Sequence, residues 1–591
     1  AFPDVQDVQV QVITQVIGQA PEEVERSVTI PIEREMSGVP HLTQLRSVSI
    51  TGLSVVTMTF ADGTEDRLAR AQVLEKLQTV SLPEGIIPEL APLTTAVGEI
   101  YRYVVDAPPN LPLYEVRAIQ DWVIRPELRR VSGVADVIGF GGTIKEIQVS
   151  IDPNALRKYQ LTLDQVSQAL SENNANTGGG IIRRGGEGLV LRAIGLFRSL
   201  EDVAATVIAA HDGKAITIRD VASVQVGEHT PSGIVSLAQR DADNKVSSRD
   251  SIVEGIVVMI KGSDPSKIIQ VLKTRVDELN SHAKLPPGVQ IRPIYERTQL
   301  VNHTVATVGE NLLLGALLVV AVLIVFLRDW RTSLIVACII PLTLLFAFIM
   351  MNARGVSANL ISLGAVDFGI IIDSAVVLVE ALIVRLTLQQ ERELEPGRDI
   401  VKLRAGALRQ TAISLSKPIL FSKAIIILAF VPIFTFQSVE GKIFSPVALT
   451  LSFALLGAVI LTLTLVPALL SYLLQRGTIS EPHLAWMERL QHGYRKLLNW
   501  ADTRPRIMTM ITVGSLAGAL SLLPVIGTEF LPNLDEGNIL LTIALPPSIH
   551  LEQSKEIERA VRAKLVTNPE VKTVVAQVGR PDDGTDPKGA N

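Results

Sequence analysis

The chain has 591 residues, a formal net charge of −5 and one cysteine, Cys338. With 47% hydrophobic residues and a mean hydropathy of +0.34, it is too long for one domain and too apolar for an ordinary soluble protein. The small net charge gives no reason to expect nucleic acid as a partner. A single cysteine excludes an intrachain disulfide and a cysteine metal cluster.

Residues 1–98 read as an α+β unit. Val8, Val10 and Val12 alternate with Gln9 and Gln11, a strand pattern. Pro21 opens a helix through Met36, with Glu22, Glu23 and Glu25 in its first turns. Strands are predicted at 44–50 and 54–60 and a helix at 64–80, leading to a strand near 99–105. That β-α-β-β-α-β order is the ferredoxin-like arrangement. A second such unit begins at 99–143, with a strand at Glu99–Val105, a helix at 113–131 and a strand at Val134–Phe140, and resumes at 231–298. Between them, 144–230 reads as an inserted module. Asp152-Pro153 caps a short helix there, and Gly178-Gly179-Gly180 and Gly185-Gly186 mark a flexible hairpin. These glycines lack the strand–GxxxxGK[ST]–helix order of a phosphate loop.

From about residue 304 the composition changes. Apolar segments of membrane-spanning length are predicted at 304–327, 332–352, 358–384, 418–436 and 444–474, the five helices of a 304–474 bundle, and again at 507–526. Residues 475–505, with Trp486, Leu490, Tyr494, Leu497 and Leu498 among charges, suggest an amphipathic helix on the membrane surface. Lys and Arg cluster after the first, third and fifth segments, which places those loops in the cytoplasm. Parity then puts residues 1–300 and those after 527 outside.

The third segment carries three acids, Asp367, Asp373 and Glu380. A charge near the bilayer centre costs at least about 2.5–3.5 kcal/mol, so such residues are functional by default. Asp373 and Glu380 share a helix face about 10.5 Å apart along the axis, and Asp367 lies about 120° round from Asp373. A carboxyl among apolar neighbours can exist neutral, so the three are expected to relay protons; structural polar contacts between helices are the alternative. Lys423, inside the fourth segment, is expected to snorkel to the near interface, with pairing to the acidic helix as the other option.

Residues 527–591 repeat the start of the chain. A strand at Ile539–Leu545, Pro546-Pro547, a helix at 551–566 and a strand at Val574–Val578 follow the order and spacing of residues 8–50. The second copy follows a predicted membrane helix. The expectation is a fragment, lacking a helix before Ala1 and most of a second half beyond Asn591.

The run Asp152-Pro153-Asn154-Ala155-Leu156-Arg157-Lys158-Tyr159-Gln160-Leu161-Thr162, the opening Phe2–Val5 and the Asp367…Asp373…Glu380 helix together resemble the heavy-metal branch of the resistance-nodulation-division transporters. Drug-exporting members have two adjacent aspartates where this chain has Asp373-Ser374. The resemblance implies a proton-driven cation antiporter of the bacterial inner membrane, not an enzyme and without a cofactor. It implies a homotrimer working with a periplasmic adaptor and an outer-membrane channel. By it, 1–98 and 99–143 with 231–298 are porter subdomains, 144–230 a docking module, and 527–591 the start of a second porter region.

The metal expected is divalent: zinc, cobalt, cadmium or nickel. Copper and silver pumps use soft methionine ligands, whereas the outer regions offer only Met36, Met58 and Met259, and Ile549 stands where those pumps carry a methionine. Glu99 and Asp136 are the candidate metal ligands. Asp582-Asp583-Gly584-Thr585-Asp586 looks like part of a calcium loop, but no Glu closes it, so a plain turn is expected. Three alternatives stay open: a Cu(I)/Ag(I) pump, an exporter of organic solutes, and a membrane receptor or sensor that transports nothing. The 4% aromatic content argues against the second, and three acids in one span against the third.

Overall fold

A computed structural model describes residues 4–211, 213–241, 243–281, 284–327, 329–356, 368–393, 400–474, 485–525, 527 and 537–591. They form two compact units: residues 8–298 with 543–591, and residues 1–7 with 299–542.

The first unit opens on a four-stranded antiparallel sheet. Its strands are β1 (Gln9–Gln15), β2 (Leu42–Ile50), β3 (Leu53–Phe60) and β4 (Pro88–Leu90), in spatial order β2-β3-β1-β4. The helix at 21–36 starts with Pro at its first position and Glu22 and Glu23 in its first turn, both suited to a helix N-terminus. Val24, Val28, Ile32 and Met36 recur every four residues and are fully buried against Val10, Val12, Val56 and Met58. Each such side chain contributes roughly 1.5–3 kcal/mol relative to exposure. The fourth strand differs from the sequence expectation: it is β4, and the strand near residue 99 opens the next sheet. Three residues with a leading proline make a poor strand signal, yet proline is tolerated on a sheet edge, where β4 lies.

The chain continues through β5 (Glu99–Asp106), a helix at 113–129 and β6 (Val134–Phe140). It then enters the inserted segment, β7 (Lys145–Ile151) to β12 (Ala222–Glu228). β7 pairs with β12 at the root of the insertion. β8 (Thr177–Arg184) and β9 (Glu187–Ala193) form the glycine-marked hairpin, and every residue of both strands is exposed. β10 (Val207–His211) and β11 (Lys214–Thr217) pair with each other, and Val166, Ile216, Ile218 and Val221 make a small local core.

β13 (Gly233–Arg240) and β14 (Val246–Arg249) lead into β15 (Glu254–Met259), the helix Pro265–Ser281 and β16 (Gln290–Glu296). The second large sheet has the order β16-β5-β15-β6. Counted within each sheet, both run fourth, first, third, second strand. Residues 233–249 lie outside this sheet; with β17 (Thr573–Gly579) they form a three-stranded sheet, β14-β13-β17. The helix Leu551–Leu565 and β17 match expectation. The expected strand at 539–545 does not form. Ile539 and Leu540 are almost fully exposed, and no described strand pairs with the segment, so its backbone has no ladder to hold it extended.

The second unit is helical. Among the described residues, five helices are long and apolar enough to cross a membrane: Arg297–Phe326, Trp330–Ala353, Arg404–Thr435, Ser438–Tyr472 and Pro505–Val525. Phe368–Glu393, the acidic helix, packs among those at 330–353, 400–429 and 438–474. Its sequence sets its orientation. Ile371, Ile372, Ala375, Leu378, Val379, Leu382 and Leu386 form one helical stripe and are buried. Ile370, Asp373, Val377, Glu380 and Val384 form the opposite stripe and are exposed in this chain. The amphipathic helix is Ala485–Thr503, with Trp486 edge-on to Phe326 at 5.6 Å between ring centroids.

Candidate functional site

Asp373 and Glu380 lie on one face of the acidic helix, as their spacing requires. Asp367 lies outside the described residues. Asp373 has a partner on the neighbouring helix Ile400–Ala429. Lys423 there is only 1% exposed, and its Nζ donates to the Ile370 carbonyl at 2.7 Å and approaches Asp373 Oδ2 at 3.5 Å. The Asp373 side chain is 62% exposed. Lys423 therefore does not snorkel. The reason is a nearby acceptor: a carbonyl has two lone pairs, so a helical carbonyl such as that of Ile370 can still accept from a side chain, and the carboxylate supplies countercharge. Further along, Arg385 donates to Gln410 Oε1 at 2.7 Å. Residues 370 and 385 on one helix thus meet 423 and 410 on the other, so the two run antiparallel and are tied at points about 20 Å apart.

The candidate metal ligands lie in the sheet unit. Glu99 on β5 and Asp136 on β6 are both in register with Val258 of the strand between them. Each is held by arginine. Arg102 Nε donates to Glu99 at 3.0 Å; Arg125 Nη2 donates to Asp136 at 3.0 Å, with Arg129 at 3.8 Å. Among the described residues no group of three or more His, Cys, Asp or Glu is placed to hold a metal ion.

Two further acids accompany them. Glu254 is fully buried on β15. Its Oε2 accepts from Gln577 Nε2 of β17 at 2.7 Å, and Arg102 stands 3.5 Å from its Oε1. Burial raises its pKa, with Arg102 opposing. Asp583, in the stretch read as a plain turn, accepts from the Thr585 backbone and hydroxyl at 3.1 and 2.8 Å. Burial raises its pKa too, and Asp136 adds to the rise while Arg125 opposes it. Neighbouring Asp582 pairs with Arg117 at 3.2 Å. The turn at 581–586 is therefore a turn, but one whose acids reach the charged groups around Asp136. A lone acid in the apolar run 252–259 was a legible sign of Glu254. Nothing local marked Asp583.

A helical bundle with membrane-length spans and a buried lysine beside a mid-helix acid, joined in one chain to two four-stranded α+β sheets, is the build of a membrane transporter. The sequence matches the AcrB/AcrD/AcrF family over residues 1–591, and the chain belongs to that family of resistance-nodulation-division transporters. It is 37% identical to protein HelA of Legionella pneumophila over 599 residues, covering 100% of this chain and 56% of that protein. It is also 37% identical to the cobalt-zinc-cadmium resistance protein CzcA of Cupriavidus metallidurans over 600 residues, covering 99% and 55%. Among solved structures, a heavy metal efflux pump superposes with a TM-score of 0.87 at 40% identity, covering 100% of this chain and 55% of that one. The chain thus spans about 55% of the length of the relatives it matches. The resemblance to the heavy-metal branch drawn from the motifs agrees with these comparisons.

Proposed function

We propose that the protein exports divalent heavy-metal cations, zinc, cobalt, cadmium or nickel, in exchange for protons moving inward. The observation that carries this reading is Asp373 in an apolar bundle, beside a lysine that is 1% exposed. A carboxyl so placed can gain or lose a proton and thereby change its pairing, which can bias a bundle between two packings. Protons entering from outside meet Asp367, Asp373 and Glu380 in that order. The metal travels through the α+β units, whose shared strand order supports a ferredoxin-like repeat. Glu99 and Asp136 are its first candidate contacts, and Asp583 joins them. Their arginines must yield for metal to bind, which couples loading to a rearrangement of the second sheet. The scarcity of methionine outside the bundle favours divalent over monovalent ions, and a relative named for cobalt, zinc and cadmium points the same way. By family resemblance the protein sits in the bacterial inner membrane as a homotrimer, its α+β units in the periplasm, with 144–230 docking toward an outer-membrane channel and an adaptor alongside. Uptake into everted membrane vesicles, run with a panel of ions, tests this. Proton-gradient-dependent uptake of a divalent ion and none of silver is expected; silver uptake alone, or uptake indifferent to the gradient, refutes it.

A further inference from the structure

We infer that the amphipathic helix Ala485–Thr503 is a binding site for anionic phospholipid, with Arg489 and Lys496 as its headgroup contacts. The inference rests on the membrane placement proposed above, and on neither the metal nor the protons.

Both ends of the helix are fixed to membrane-length helices. Near its start, Trp486 packs edge-on against Phe326, in the last turn of the helix Arg297–Leu327. After its end, one residue, Arg504, leads into Pro505, which opens the span Pro505–Val525. A helix of 19 residues is about 28 Å long. Held at both ends where spans leave the bilayer, it lies along the interface and does not cross it. One side of it is apolar: Trp486, Leu490, Tyr494, Leu497 and Leu498 form a stripe and are exposed in this chain. A stripe of that kind, on a helix so placed, enters the boundary between headgroups and acyl chains.

The charges are not spread evenly round that stripe. At about 100° per residue, Arg489 and Lys496 fall on one line along one edge of it, about 10.5 Å apart. Trp500 continues the same edge, and the Arg504 guanidinium stands over its ring, 5.9 Å from the centroid. The acids of the helix, Glu488 and Asp502, lie about 90–130° round from the line, with Arg495 between them. Arg489 and Lys496 are exposed and make no ion pair among the described residues. Their aliphatic stems can lie along the apolar edge while their charged ends reach outward. Unpaired cations along one edge, with an aromatic ring between them and the acids set aside, complement a layer of negative phosphates. A protein partner could cover the stripe, but nothing in such a partner requires the cations to keep to its edge.

The test uses the intact membrane protein in nanodiscs of equal parts phosphatidylcholine and phosphatidylglycerol. In one arm the phosphatidylglycerol has brominated acyl chains, in the other the phosphatidylcholine has them. Bromine quenches tryptophan at close contact, and the Trp500 signal is the difference between wild type and Trp500→Phe. A cation near an anionic surface favours it about fivefold, so brominated phosphatidylglycerol should quench Trp500 at least about threefold more than brominated phosphatidylcholine. The Arg489→Gln/Lys496→Gln double variant should remove that preference, and Arg495→Gln, on the far side, should keep it. Salt at about 1 M, where the Debye length is about 3 Å, should also lower the wild-type preference, so the result does not depend on any variant folding. Equal quenching by the two lipids in the wild type overturns the inference. So does a preference unmoved by salt or by the double variant, or one lost equally in Arg495→Gln. Quenching by neither lipid puts this face against a protein and overturns the membrane placement as well.

Discussion

Glu254→Gln isolates the energetics of the one fully buried carboxylate that joins the second large sheet to β17. In the wild type, Oε2 takes the Gln577 amide at 2.7 Å, while Oε1 has no hydrogen-bond donor and only Arg102 at 3.5 Å. Burial raises its pKa above the ordinary 4.5, so the folded state binds this proton more tightly than the unfolded state. The stability this supplies is fully present below about pH 4.5 and is lost as pH rises through the raised pKa. At neutral pH the carboxylate is a liability, at about 1.4 kcal/mol for each unit of the rise. Glutamine keeps an acceptor for Gln577 and cannot ionise. Arg102 loses one anion but keeps Glu99 at 3.0 Å, which limits the cost of the change. The net expectation is a gain of about 1 kcal/mol at pH 7.5, within the range seen when buried ions are replaced by neutral groups. For a unit of this size that raises Tm by about 2 °C. Melting curves of the detergent-purified protein between pH 4 and 8 measure it. The two curves should converge at low pH and separate as pH rises, with the variant above. A variant less stable at neutral pH by about 3 kcal/mol, the cost of breaking a buried pair, refutes the argument, as does a difference that does not change with pH.

Two further predictions concern the fold and its orientation. Gly141 has φ +74°, and a Cβ there would sit 2.4 Å from the Ile252 carbonyl oxygen; Gly141→Ala should cost at least about 2 kcal/mol, read as a lower Tm, and an unchanged melt contradicts the geometry. A reporter fused after residue 400 should be active in the cytoplasm and one after residue 200 in the periplasm, from the placement of Lys and Arg; reversed activities overturn the orientation.

Where the hydrophobic period was regular, the sequence was readable. Pro21 and the acids that follow it marked the helix that runs to Met36, and the alternation of Val8, Val10 and Val12 with glutamines marked β1 as a strand. Pairing was less readable, because it depends on partners distant in the chain. β4 is too short and too proline-bound to signal itself. The segment 539–545 has strand composition but, among the described residues, no neighbouring strand to complete a ladder. β17 joins β13 from more than 300 residues away, which no local pattern reveals. The site divides in the same manner. Three acids in one apolar segment announced themselves through their cost. Lys423 was visible as an anomaly, but its direction was not, because snorkelling and pairing demand the same side chain and only the position of the Ile370 carbonyl decides. The acids of 582–583 read as a turn because turn and site are local and non-local properties of the same residues.

In the antiport proposed above, Asp373 changes protonation each time metal moves. Asp373→Asn preserves shape and hydrogen-bonding capacity while fixing a neutral state; it leaves the buried Lys423 with the Ile370 carbonyl and no countercharge, so folding should survive with a lower Tm. The direct measurement is metal export and proton release by the reconstituted Asp373→Asn protein, alongside its melting curve and trimer content. A folded trimer that neither exports metal nor moves protons is expected. A folded variant that pumps at close to the wild-type rate contradicts it.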